Sequence, residues 1–95
     1  MEAVQHEIMG EMANALVRTE HRLIEARQAY REQLAVSPVG NVVQHEGALW
    51  DFVDAVLCFI VQREAIGSCD TRQLFDLYEV PDEVVRRIGV RRTVI

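Results

Sequence analysis

Lysine is absent from this 95-residue chain, and all ten basic side chains are arginine. This excludes Schiff-base catalysis and the lysine of a phosphate-binding loop. A GC-rich coding bias accounts for it without a functional reason. Positive charge is not in excess either: 15 acidic against 10 basic side chains leave a net charge of −5. Generic binders of nucleic acid or acidic membranes draw their affinity from basic surface, so the balance argues against both. Cysteine is scarce. Cys58 and Cys69 are eleven residues apart, which fits neither a redox C-x-x-C nor a paired zinc knuckle. They read as a small core residue and a loop thiol, with no disulfide expected in a reducing compartment. No long unbroken apolar run occurs. The most apolar stretch, Ala48 to Val61, has 14 residues and is interrupted by Asp51 and Asp54. A membrane span needs about 20 residues without such charges. The opening residues, Met1 to His6, lack the basic and apolar regions of a signal peptide, so a cytoplasmic location is expected.

What the chain does have is 49% apolar residues, enough for a core in one domain. Residues 2–35 read as one long helix. Apolar or small side chains recur at Val4, Ile8, Met12, Leu16, Thr19, Leu23, Ala26, Tyr30 and Leu34, in steps of three and four that keep one stripe inward. Ser37-Pro38-Val39-Gly40 breaks that helix. Asn41 and Gln44 form a capping-box pattern opening a second helix over about 41–66, and Gly67 is placed to end it in the left-handed conformation. A connection this short predicts an antiparallel hairpin. Asp70 and Gln73 repeat the capping pattern for a short helix over 71–78. Pro81, Asp82 and Glu83 early, Arg86 and Arg87 late, and Gly89 beyond them predict a last helix over 81–88. The single domain then spans 1–89, leaving 90–95 as a C-terminal tail.

On a helical wheel the second helix is apolar nearly all round. Gly47, Asp51, Asp54, Cys58 and Gln62 share its one polar sector. An ordinary surface helix needs an apolar stripe of about 100°, so this one requires cover on two sides. The first helix raises a separate difficulty. About 34 residues make a rod of roughly 50 Å, whereas a compact chain of this size has a radius of gyration of about 12 Å. The expectation is an all-α fold: a long antiparallel helical hairpin followed by two short helices, assembled as a dimeric helix bundle. The alternative is that the last two helices cover the spare face of the second within one chain.

Candidate sites were weighed on chemistry. His21 and Glu25, or Glu2 and His6, are spaced as helix neighbours. No Glu-x-x-His motif of a di-metal bundle exists, so neither metal nor cofactor is expected. Asp51 and Asp54 share the polar face of the second helix and could serve as general acid and base. No nucleophile, oxyanion donor or glycine-rich loop accompanies them, and solvation or pairing with Arg22 or Arg27 is the plainer role. Gln62-Arg63-Glu64 closes the second helix, where buried charges would need partners. An ion pair between Arg63 and Asp70 is the expected structural use, and an interaction corner the sharper one. Residues 70–92 have helix-turn-helix spacing. Phe75 is bulky where a small residue is usual, Glu79 stands where glycine is usual, and the second helix opens on Asp82 and Glu83.

Ala48-Leu49-Trp50, Gln62-Arg63-Glu64-Ala65, Gly67, Asp70, Tyr78, Val80-Pro81, Glu83-Val84, Arg87 and Gly89 together resemble a family of small uncharacterised bacterial proteins, classed as a domain of unknown function. Glu7-Ile8-Met9 also fits. The likeness covers residues 7–89 and is most specific from Gln62 to Asp70, with departures at Ile66, Ser68 and Cys69. It implies an all-helical fold and a bacterial origin and transfers no activity. The functional expectation is a non-enzymatic interaction or regulatory module. It would act as a cytoplasmic homodimer that contacts another protein through Asp51, Asp54, Gln62, Arg63, Glu64 and Asp70. A DNA-binding regulator and a small acid–base enzyme using Asp51 and Asp54 are the alternatives.

Overall fold

The computed structural model describes residues 2–36, 42–67 and 69–94, with side chains placed for residues 10, 14–36, 46–67 and 69–89. The described residues form four helices and no strand: α1 (Glu2–Val36), α2 (Val42–Ile66), α3 (Thr71–Leu77) and α4 (Asp82–Val94). The expected break at 37–40, the Asn41 cap and the side chains of Val4, Ile8 and Met12 lie outside the described residues. The molecule measures 57 × 24 × 23 Å, with a radius of gyration of 15.4 Å. The long dimension belongs to α1, whose 35 residues make a rod of about 52 Å. α2 has 25 residues, so α1 outruns it by ten, about 15 Å.

α1 and α2 are antiparallel, as shown by Arg22 meeting Cys58 and Tyr30 meeting Phe52. Leu23 and Tyr30 of the α1 stripe are buried, and Leu16 and Ala26 pack against them. Thr19 occupies the same stripe because its hydroxyl donates to the carbonyls of Ala15 and Leu16, at 3.1 and 2.9 Å. On α2 the buried arc runs from Ala55 through Phe52, Phe59, Val56 and Leu49 to Ile60 and Val53. Such a width needs two neighbours, and α2 has them in α1 and α4. Val84 and Ile88 of α4, with Leu74 of α3 and Val80, complete the core. The second face of α2 is therefore covered within one chain. α3 packs where α2 ends, around Arg63, and α4 lies along the flank of the hairpin as far as Tyr30 and Trp50.

Local signals set the helix starts better than the stops. Asp70 caps α3 as expected, with Oδ1 accepting from Gln73 N at 3.2 Å. The Pro81 carbonyl accepts from Val84 and Val85, so Pro81 sits at the cap of α4 rather than inside it. Gly67 and Gly89 are not left-handed; no described glycine has a positive φ. Gly67 N still donates to Arg63 O at 3.1 Å and extends the last turn of α2. α4 runs through Gly89 to Val94, so 90–94 continue a helix where a separate tail was expected. A glycine inside a helix costs only about 1 kcal/mol and no proline follows to enforce a stop.

The left-handed residue is Glu79, at φ 54° between α3 and α4. A Cβ at that geometry crowds the following carbonyl. Glu79→Gly is expected to raise the midpoint of thermal unfolding by a few degrees. Circular dichroism melting checks this, and a lower midpoint would mean that the Glu79 side chain outweighs its backbone strain.

Candidate interaction site

The polar sector of α2 is exposed at Gly47 and Asp51 and half-buried at Asp54, Cys58 and Gln62. The arginines expected to answer its carboxylates go elsewhere. Arg22 Nη1 donates to Cys58 Sγ at 3.4 Å, and Arg27 Nη1 donates to the Tyr78 carbonyl at 2.9 Å. Asp51 is exposed to water. Among the described residues no group of His, Cys, Asp and Glu is placed to hold a metal ion, and no helix is long and apolar enough to cross a membrane.

The corner after α2 is different. Arg63, Asp70, Gln73, Leu74, Leu77 and Tyr78 line an open cleft of about 170 Å³. Of the six residues expected at the corner, the structure brings Arg63 and Asp70 to this cleft. Glu64, one helical step on, is exposed away from it, and Gln62, Asp51 and Asp54 belong to the polar sector. The expected Arg63–Asp70 ion pair is not made, because Asp70 is turned to the N-terminus of α3. Both charges thus face one cleft unengaged with each other. Leu74 is buried beneath them, and Leu77 is 72% exposed at the rim.

Sequence reasoning missed Gln73, Leu74, Leu77 and Tyr78 as lining residues. Leu77 carried a weak signal: on a helix this short Leu74 and Tyr78, four apart, share the inward side, which leaves Leu77 off it. Tyr78 anchors the whole corner. Its ring meets Phe59 edge-on at 5.3 Å and 76°, and its hydroxyl donates to Glu20 Oε2. Burial, followed by the Glu20 hydrogen bond, pushes the Tyr78 phenol up to about 12. A second bond of the same kind joins α1 to α4. Tyr30 Oη donates to Glu83 Oε2 at 2.7 Å, and burial followed by Glu83 pushes that phenol up to about 12 as well. Arg31 pairs with Glu79 at 2.6 Å and holds the Glu79 carboxyl below its ordinary range. Arg87 lies over the Trp50 ring at 5.8 Å. These groups seat α3 and α4 on the hairpin and hold the cleft walls in place.

α3, the turn at Glu79 and α4 also have helix-turn-helix proportions: seven residues, a left-handed position and thirteen residues. Leu74, Val80 and Ile88 are buried in it. The outer side of α4 opens on exposed Asp82, followed by exposed Arg86. No family model matches the chain, and no curated protein or solved structure matches it.

Proposed function

We propose that this chain is a non-enzymatic protein–protein interaction module of the cytoplasm, acting as a homodimer and receiving a second protein at the α2–α3 corner. The observation that carries this reading is the cleft itself. A cation and an anion face it without neutralising each other, over an apolar floor and beside an exposed leucine. A partner side chain carrying both apolar surface and charge would find each need answered there, and an apolar centre with a polar rim is the usual anatomy of such contacts. Neither a nucleophile nor a metal cluster competes for the site among the described residues.

Leu77→Asp and Arg63→Glu test the corner. The expected result is that a protein retained by the wild-type chain from its own cell extract is lost by both variants, with helicity unchanged by circular dichroism. Identical retention by all three chains would sink the corner as the contact.

A second reading rests on Glu79, whose left-handed backbone gives α3 and α4 the turn of a DNA-binding pair. Asp82 at the start of the would-be recognition helix and the net charge of −5 oppose it. Salt-dependent retention on duplex DNA would favour it over the first reading.

A further inference from the structure

α1 turns a second, regularly spaced seam outward. Starting at Gly10 and stepping alternately four and three residues, the positions pass through Val17, His21 and Ile24 to Arg31 and Ala35, and every one of them is exposed. Val17 and Ile24 stand at its centre at 56% and 41% exposure. A repeat alternating three and four is the spacing by which two helices interlock as knobs into holes. Nothing lies within 4 Å of the Cβ position at Gly10, so the seam is also open to close approach at that point.

The occupant is set by register and charge. Residues 2–17 of α1 carry Glu2, Glu7 and Glu11 and no arginine, whereas 18–36 carry four Arg against three Glu. Two copies side by side in the same direction would set three acids against three acids. In the opposite direction, complete overlap of Glu2–Val36 with itself pairs residues whose numbers sum to 38. That same sum sets Val17 against His21 and Ile24 against Asn14, the alternate-layer packing of an antiparallel coiled coil. Continued outward, it sets Ala35 against Ala3 and brings the acidic 2–17 half alongside the half that carries all four arginines, of which Arg31 is already paired with Glu79 in its own chain. Greatest overlap, interlocking layers and opposite charge thus coincide in one two-fold arrangement, where residue i meets j and j meets i.

We infer that a second copy of this chain docks antiparallel along α1 through the Gly10–Ala35 seam, with Val17 and Ile24 of both copies at the centre. This rests on the homodimer part of the proposed function and adds its surface and direction.

Sedimentation equilibrium combined with a short bis-maleimide cross-link tests it. The chain carries Cys58→Ser and Cys69→Ser, with a single new thiol from His21→Cys or Ala35→Cys. In the antiparallel pair the two copies of position 21 are offset by about 6 Å along the axis and those of position 35 by about 50 Å. The expected result is a mass of twice 10.9 kDa, efficient cross-linking at 21 and none at 35. Ile24→Lys in the otherwise unchanged chain is expected to return the mass to that of one chain with helicity retained. Equal cross-linking at both positions would overturn the direction. A dimer that cross-links at neither, or that survives Ile24→Lys, would overturn the seam and leave the homodimer standing. A mass of one chain at every concentration would overturn both.

Discussion

Phe59→Ala is expected to destabilise the protein by about 3–5 kcal/mol, the range for removing a buried aromatic ring. Phe59 is 1% exposed, at the level of α2 where the hairpin meets the end of α3. Its removal leaves a cavity and deprives the Tyr78 ring of its edge-on neighbour. Tyr78 in turn binds Glu20 through its hydroxyl and receives Arg27 on its carbonyl, so one truncation loosens the seat of α3 on both long helices. Domains of this size have a total stability of about 5–15 kcal/mol, so a large share would be lost. Urea denaturation followed by circular dichroism measures it. Phe75→Ala, at a half-buried position of α3, serves as the milder comparison. A loss below about 1 kcal/mol at Phe59 would contradict its place in the core.

The second large effect is alkaline. The Tyr30 and Tyr78 phenols stand at about 12 in the folded protein against an ordinary 10. In both, burial disfavours the phenolate, and the glutamate accepting the hydroxyl proton disfavours it further. Because the folded state holds these protons more tightly, the stabilisation is complete below pH 10. It declines between 10 and 12 and is gone above the folded value. For Tyr30, 3% exposed, the contribution at neutral pH is at most about 3 kcal/mol. Unfolding free energies are therefore expected to hold steady up to about pH 10 and then fall. Tyr30→Phe removes one of the two titrations, and its decline should be shallower. At neutral pH the lost hydrogen bond costs about 1 kcal/mol. A wild-type curve that stays flat to pH 12, or a decline unchanged in Tyr30→Phe, would show that ionisation of Tyr30 is not linked to folding.

Both effects lie where distant parts of the chain meet, and this is the part of the molecule that periodicity does not reach. The inward stripe of α1, the wide apolar arc of α2 and the Asp70 cap were legible because each depends on neighbours three or four residues away. Glu20 carried no local signal, and Glu83 was legible only as an acid in the first turn of the last helix. Their partners, Tyr78 and Tyr30, are 58 and 53 residues distant. The candidate corner was half legible: the wheel brought out Arg63 and the capping pattern Asp70, and the pairing inferred for them failed because a helix N-terminus satisfies the Asp70 side chain more locally. Arg22 and Arg27 were likewise matched with aspartates on charge alone, and they donate to a thiol and a main-chain carbonyl.

Amino-acid order by itself settled that the chain is helical, that α1 is too long for a compact globule, and that α2 needs cover on two sides. Those conclusions follow from spacing and length, which any fold of the chain must respect. Tertiary structure decided what supplies the cover, which is α4 with α3 beside it in the same chain. It also decided that Glu79 rather than Gly67 adopts the left-handed turn, and that Arg63 and Asp70 share a cleft without pairing. The differences among such arrangements amount to a few kcal/mol of packing and hydrogen bonding between segments remote in sequence. Only the assembled neighbours set those terms.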